Sequence, residues 1–230
     1  FSSMEVEHAL FYDRLNEALG LSTEDFYLSF LKEPEMKKRM DFIGKQLAKG
    51  KEDDNRSIAI SLATFSFIEG VVLYSSFAFL MSFQNPPKNK LKNVFTGLSY
   101  SVRDEALHAS ADSWLFNTFV KEYNLRTPAL ESKIKKIAEE CYLAEEKIID
   151  NIFAKGKIDG ITDTQLKNFV KSRVNKKLKD IGIDPIYEVS YNPVAKWFYK
   201  KINQIEMTDF FDRNPTSYNN NWNFNKIKEW

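Results

Sequence analysis

Glu5-Val6-Glu7-His8 and Glu105-Ala106-Leu107-His108 are the two stretches that decide the fold, because each places a glutamate three residues before a histidine. The chain has two histidines, so both of them carry this pattern. On an α-helix, residues i and i+3 lie on one face, so each stretch directs one carboxylate and one imidazole to a single point. Two such helices provide half of the ligand set of a two-metal site in a four-helix bundle. The pattern predicts a carboxylate-bridged pair of metal ions inside a helical bundle.

A third carboxylate lies within a long apolar stretch. Residues 58–83 contain one charged side chain, Glu69, and the stretch is long enough to span a bilayer. A charge near the centre of a bilayer is costly, whereas surrounding helices could give Glu69 a metal ion and hydrogen-bond partners. We therefore predict a buried central helix and no membrane. The expected metal ligands are three carboxylates and two imidazoles: Glu5, His8, Glu69, Glu105 and His108.

Two points about the predicted site stay open at this stage. Either Glu/His pair, taken alone, fits a satisfied core or surface histidine near an ordinary helix glutamate. Both pairs together, with an isolated Glu69 between them in sequence, favour a metal site. Hard carboxylates and imidazoles suit iron or manganese, and the sequence does not choose between them. A fourth carboxylate ligand is not obvious.

The composition excludes several classes of function. Lys+Arg is 33 and Asp+Glu is 32, so the charge balance gives no reason to expect binding to nucleic acid. Cys141 is the one cysteine, which excludes a disulfide scaffold and a thiolate metal site. This cysteine usage is typical of a reducing intracellular compartment, and we expect a cytoplasmic protein.

Helical patterns dominate the chain, and turn residues fall mostly between the periodic segments. We predict an all-α domain over residues 1–208, followed by a tail over residues 209–230 that is rich in Asn and aromatic residues. The helices are expected at about 1–20, 26–31, 34–49, 54–83, 91–123, 128–154 and 163–179, with a short helix after Pro193.

Four stretches of the chain resemble the small, radical-generating subunit of class I ribonucleotide reductase, and the resemblance covers nearly the whole sequence. The stretch most specific to that family is Arg103-Asp104-Glu105-Ala106-Leu107-His108. The other three are Glu5-x-x-His8-x-x-x-Tyr12, then Ile68-Glu69-Gly70-x-x-x-Tyr74-x-Ser76-Phe77, and Phe210-Phe211-Asp212-Arg213 followed by Tyr218. The resemblance implies a ferritin-like helical bundle with a di-metal carboxylate site, whose ligands would be the five residues named above.

The resemblance also implies roles for residues around the metals. Tyr12, one helical turn after His8, would hold a stable radical, although a plain core tyrosine is the alternative from the residues alone. Asp104 would orient a ligand histidine on the electron route, and Phe77 would line the pocket of the radical. Tyr218 would pass the oxidising equivalent to the large subunit. The docking tail would carry aromatic anchors at Trp222, Phe224 and Trp230.

The implied function is that of the small subunit of ribonucleoside-diphosphate reductase. It would bind two Fe or two Mn ions, form a homodimer and work with the large subunit that reduces the nucleotide. Leu73 and Ser101 stand at pocket positions that are often bulky and apolar in the family, and Ser101 is expected to shield the radical less well.

The chain departs from the family at its start. The family's first ligand is an aspartate on an earlier helix, preceded by a relay tryptophan, and four residues precede Glu5 here. Residue 1 is Phe rather than Met. The hypothesis is that a separate N-terminal polypeptide supplies both residues.

Two other functions remain possible from the sequence. Another di-iron or di-manganese oxidase of the same architecture would share the Glu/His geometry without needing Tyr12 or an aromatic tail. A metal-storing or purely structural bundle would show no oxidant-dependent change in its spectra and would need no large-subunit partner.

Overall fold

The computed structural model describes residues 2–49 and 54–211, and within these ranges the backbone forms α-helices and short connections. An isolated β-bridge between Ile158 and Ile161 is the one strand-like feature of this part of the chain. The all-α prediction is therefore confirmed. The helices are α1 (Ser2–Ala18), α2 (Glu24–Ser29), α3 (Pro34–Lys49), α4 (Asn55–Val71), α5 (Tyr74–Met81), α6 (Lys92–Glu122), α7 (Pro128–Phe153), α8 (Asp163–Asp180) and α9 (Pro193–Phe211).

Polar side chains cap several of these helices at the N-terminus. Asp54 and Thr127 each accept a hydrogen bond from a backbone N–H three residues further on. At α8, Thr162 and Gln165 form a reciprocal capping box, which satisfies two backbone donors that the first turn leaves unpaired. These caps explain why the helices begin close to the residues expected from the sequence.

The central apolar stretch is two helices rather than the one predicted over residues 54–83. The α-helical backbone ends at Val71, Val72 is extended with ψ 140°, and Leu73 has a left-handed φ of 73°. The break frees backbone carbonyls, and the Nε–H of Arg173 on α8 donates to the carbonyl oxygen of Gly70 at 2.8 Å. A buried tertiary donor thus stabilises an interruption that helix periodicity does not signal.

Helix α4 is the centre of the bundle and packs against α3, α6, α7 and α8. The segment Asn55–Gln84 is long and apolar enough to cross a membrane, and half of its most apolar window is buried inside the protein. A buried core helix passes the same test, so the segment gives weak evidence for a membrane span. Glu69 on α4 therefore lies among the helices of the bundle.

A buried ion pair joins three helices beside this core. Arg39 on α3 donates to both carboxylate oxygens of Glu145 on α7, at 2.7 and 3.0 Å, and Ser75 on α5 donates to the same carboxylate at 2.6 Å. The Arg39 and Glu145 side chains are 5% and 0% exposed. The carboxylate therefore has charged and neutral donors that replace its lost hydration.

The C-terminal end of the described chain differs from the prediction. Helix α9 covers Pro193–Phe211, which is longer than the short helix expected there and passes the predicted domain boundary near residue 209. Tyr218, Trp222, Phe224 and Trp230 lie outside the described residues. The division into a domain and a docking tail stays a prediction.

Candidate metal centre

Three helices bring the predicted ligands together. Helix α1 carries Glu5 and His8, α4 carries Glu69, and α6 carries Glu105 and His108. The i, i+3 spacing puts each histidine beside its own glutamate: His8 Nδ1 lies 3.5 Å from Glu5 Oε2, and His108 Nδ1 lies 3.5 Å from Glu105 Oε2. The local geometry predicted from the two sequence stretches is therefore present on both helices.

Helix α1 reaches the site through a close approach to α6. It buries no residue completely, and it meets the bundle mainly along α6. The ring of Phe11 lies against Gly97, where a Cβ atom would overlap the ring. Only glycine leaves room for this approach, so Gly97 sets how near Glu5 and His8 come to the ligands on α6.

Two of the glutamates, Glu5 and Glu105, each face both histidines. Glu5 directs Oε2 to His8 Nδ1 at 3.5 Å and Oε1 to His108 Nδ1 at 3.3 Å. Glu105 directs Oε1 to His8 Nδ1 at 3.4 Å and Oε2 to His108 Nδ1 at 3.5 Å. Glu69 adds an oxygen 3.5 Å from His108 Nδ1. Two carboxylates thus span two positions, one at each histidine.

The outer nitrogen of each histidine has its own partner. His8 Nε2 lies 3.0 Å from a carboxylate oxygen of Asp104, and His108 Nε2 lies 3.2 Å from the thioether sulfur of Met4. A proton on Nε2 that is donated to Asp104 leaves Nδ1 of His8 with a free lone pair, directed at the glutamates. Asp104 thus lies against His8, and its role in orienting a ligand histidine stays a prediction.

The centre concentrates negative charge in a partly buried space. Burial, a hydrogen bond with Glu69 and the negative charges of Glu69, Glu5 and Asp104 together raise the pKa of Glu105 to about 9. Burial and Glu69 likewise raise the pKa of Asp112, one turn after His108, to about 6. Carboxylates crowded in this way need protons or cations to balance them.

The donor set fits divalent metal ions. Glu5, Glu69, Glu105 and His108 each offer one ligand atom, and these atoms lie within 4.8 Å of one another. Oxygen and imidazole donors without a thiolate suit iron and manganese. Cys141, on α7, is fully buried, and burial raises the pKa of its thiol well above its ordinary value. No aspartate belongs to this four-residue group among the described residues, so the fourth carboxylate of the family pattern has no candidate in it.

Tyr12 lies beside the centre. Its hydroxyl donates to Ser101 Oγ at 3.5 Å, and burial raises the pKa of the phenol, with smaller contributions from Glu105 and Glu5. The phenol therefore keeps its proton in the resting protein. Ser101 is buried and is the hydrogen-bond partner of the phenol. The expectation that Ser101 shields the radical poorly stays a prediction.

The other two predicted pocket residues are placed differently. Phe77 is buried and packs edge-on against Tyr74, with ring centroids 5.6 Å apart. Leu73 lies at the break between α4 and α5 and is 37% exposed. The prediction that they line the pocket of Tyr12 stays a prediction.

Three contributors to the centre were not predicted from the sequence. They are Met4 behind His108, Asp112 beside Glu69 and His108, and Gly97 under Phe11. Asp112 follows His108 by four residues, which is a signal for a shared helix face. Met4 and Gly97 depend on how α1 and α6 cross, which sequence spacing does not report.

Residues 1–193 match the family described as ribonucleotide reductase, small chain. The chain belongs to this family. It is 30% identical over 234 residues to a protein named "Probable ribonucleoside-diphosphate reductase small subunit 048L" from Invertebrate iridescent virus 3, covering 95% of this chain and 61% of that relative. It is 31% identical to the corresponding protein 376L of Invertebrate iridescent virus 6, covering 96% of this chain and 70% of the relative.

Solved structures of ribonucleotide reductase proteins share the fold. A structure assigned to class I ribonucleotide reductase from Bacillus halodurans superposes with a TM-score of 0.79 at 23% identity, covering 86% of this chain and 71% of that one. The ribonucleotide reductase Rnr4 homodimer from Saccharomyces cerevisiae gives a TM-score of 0.62 at 18% identity, covering 89% and 62%. The predicted ferritin-like bundle and the family resemblance are confirmed. The chain spans about three fifths of the length of the first of the viral relatives.

Proposed function

We propose that this chain is the radical-generating small subunit of ribonucleoside-diphosphate reductase. The observation that carries the proposal is the double orientation of Glu5 and Glu105, each with one oxygen toward each of the two histidines. Two carboxylates that each face two imidazoles suit a centre that holds two adjacent ions rather than a single structural ion. Family membership supports the same function.

The centre would hold two Fe or two Mn ions through Glu5, His8, Glu69, Glu105 and His108. When bound, such a pair supplies a strong one-electron oxidant. The chain's own residues fix where that oxidation is used. Once dioxygen or a reduced oxygen species had oxidised the bound ions, Tyr12 would give one electron to them and its phenolic proton to a neighbouring base, and it would become a neutral radical. Its partial burial beside Phe11, at a ring distance of 5.1 Å, limits the access of water to the radical.

Asp104 connects the centre to the surface of α6. It holds His8 Nε2 at 3.0 Å and is 31% exposed, so it can exchange a proton with His8 on one side and reach a partner on the other. We assign it to the proton-coupled route by which the oxidising equivalent leaves the centre. Tyr218 would receive that equivalent and pass it to the large subunit, and residues 209–230 would form the docking tail.

The proposal includes further partners and a cytoplasmic location. The subunit would form a homodimer and would bind the large subunit, which reduces the nucleotide. A separate N-terminal polypeptide would supply an aspartate to the His8 side of the centre, where the described residues give fewer oxygen donors. Equally tight binding of two ions by the purified 230-residue chain, with no added partner, would contradict this part of the proposal.

Electron paramagnetic resonance tests the radical function. After loading with iron or manganese and addition of the oxidant, we expect a tyrosyl signal that Tyr12→Phe removes. Tyr100→Phe is the matched control, because Tyr100 is a 45%-exposed tyrosine on α6. Tyr218→Phe should keep the signal and abolish nucleotide reduction with the large subunit. Metal-loaded protein with Tyr12 intact and no tyrosyl signal would refute the proposal.

A further inference from the structure

The two ion positions of the centre have unequal sets of donors. Glu5 and Glu105 contribute one oxygen to each position, so they do not distinguish them. The His108 position also has Glu69, whose oxygen is 3.5 Å from His108 Nδ1. Among the described residues, the group of donors that could hold one ion contains His108 and omits His8. Within the described part of the chain, the His108 position thus has four donors and the His8 position three.

Burial follows the same order. The His108 side chain is 1% exposed, whereas the His8 side chain is 11% exposed. Water screens charges and competes for an ion more effectively at the exposed side. The negative charge of Glu69 therefore acts in the drier part of the centre, where it attracts a cation more strongly.

The outer partners of the histidines, taken alone, would favour tighter metal binding at His8 than at His108. Asp104 is a charged acceptor for His8, whereas Met4 offers His108 a thioether, which is a weak acceptor. Support by an outer carboxylate is typically worth about 10–100-fold in metal affinity. Glu69 contributes a bond to the ion itself and a full negative charge. Because a direct charged donor outweighs support given through an imidazole, the number of donors decides the order.

We propose that this chain binds its two divalent ions unequally, with the first held tightly at the His108 position and the second weakly at the His8 position. The inference rests on the proposed two-ion centre and adds the order of loading. It also places the weaker position at His8, on a helix that buries no residue completely.

Titration of the metal-free full chain with Mn²⁺ tests the order. The hexaquo Mn²⁺ signal in electron paramagnetic resonance measures the free ion, and calorimetry gives the stoichiometry. We expect two classes of site that differ at least about tenfold in dissociation constant. Glu69→Gln should weaken the tight class by at least about tenfold, and Asp104→Asn should weaken the other class alone by about 10–100-fold.

The controls separate an effect on the ions from an effect on the fold. Glu7→Gln changes an exposed carboxylate on α1 and should leave both classes unchanged. Circular dichroism checks each variant, and Asp104→Asn changes a side chain that is 31% exposed, so it serves if Glu69→Gln does not fold. Two equal classes, or loss of the tight class in Asp104→Asn, would overturn the inference and leave the two-ion centre standing. Failure of the chain to bind any Mn²⁺ would overturn both.

Discussion

Replacing Gly97 with alanine should disable the metal centre from a distance, by pushing α1 away from α6. A Cβ atom at position 97 would lie 3.0 Å or less from three carbons of the Phe11 ring. Carbon atoms in contact are ordinarily about 3.5–4.0 Å apart, so the Phe11 ring and helix α1 must move away by roughly 1–2 Å. Helix α1 moves rather than α6, because α1 buries no residue completely whereas α6 packs against α4, α5 and α8.

The displacement is large on the scale of metal coordination. Ligand distances are held to about 0.2 Å in working sites, so a shift of roughly 1–2 Å takes Glu5 and His8 out of range. We expect the affinity for Mn²⁺ to fall at least about tenfold, as it does when the support of a ligand is removed. Overpacking should also lower the free energy of unfolding by about 1–3 kcal/mol. The assays are Mn²⁺ titration and urea unfolding of the same protein.

Two controls make this prediction specific. Gly44→Ala is the same change within α3 at a position with open space around it, and it should stabilise the protein by about 0.5–1 kcal/mol without affecting Mn²⁺ binding. In a Phe11→Ala background the overlap is absent, so adding Gly97→Ala should have no further effect on binding. If Gly97→Ala binds Mn²⁺ as tightly as the parent chain, or weakens binding equally in both backgrounds, the reasoning is refuted.

Three further predictions concern stability and reactivity. Arg39→Met leaves the buried carboxylate of Glu145 without its charged partner and should lower the free energy of unfolding in urea by about 3–5 kcal/mol. Lys45→Met breaks an exposed ion pair between the same two helices and should lower it by under about 1 kcal/mol. Similar losses in the two variants would contradict this prediction. The metal-free protein should lose stability as the pH rises from about 5 to 9, because folding raises the pKa of Glu105 to about 9 and the folded state then holds a proton that the unfolded state releases. Urea midpoints measured across this interval should depend less on pH in Glu105→Gln than in the parent chain. An unchanged pH dependence would contradict the raised pKa of Glu105. The buried Cys141 thiol, whose pKa is raised, should react with a thiol reagent only at the rate of unfolding, and fast labelling of the native protein would show that the core is open there.

The residues that come together at the candidate centre could be predicted from the sequence because their spacing is local. The i, i+3 pairs at Glu5/His8 and Glu105/His108 follow from helix periodicity, and Glu69 stands out because its stretch has no other charge. What joins the three helices depends on long-range contacts. The break at Val72 and Leu73, the close approach at Gly97 and the thioether behind His108 arise where side chains distant in sequence meet.

Crystals of the full chain grown with saturating Mn²⁺ would test the central claim most directly, through an anomalous difference map. We expect two peaks between α1, α4 and α6, about 3.5–4 Å apart, one beside Nδ1 of each histidine and the stronger one at His108. Ordered helices with no peak at this place, or Mn²⁺ bound only at other carboxylates, would contradict it.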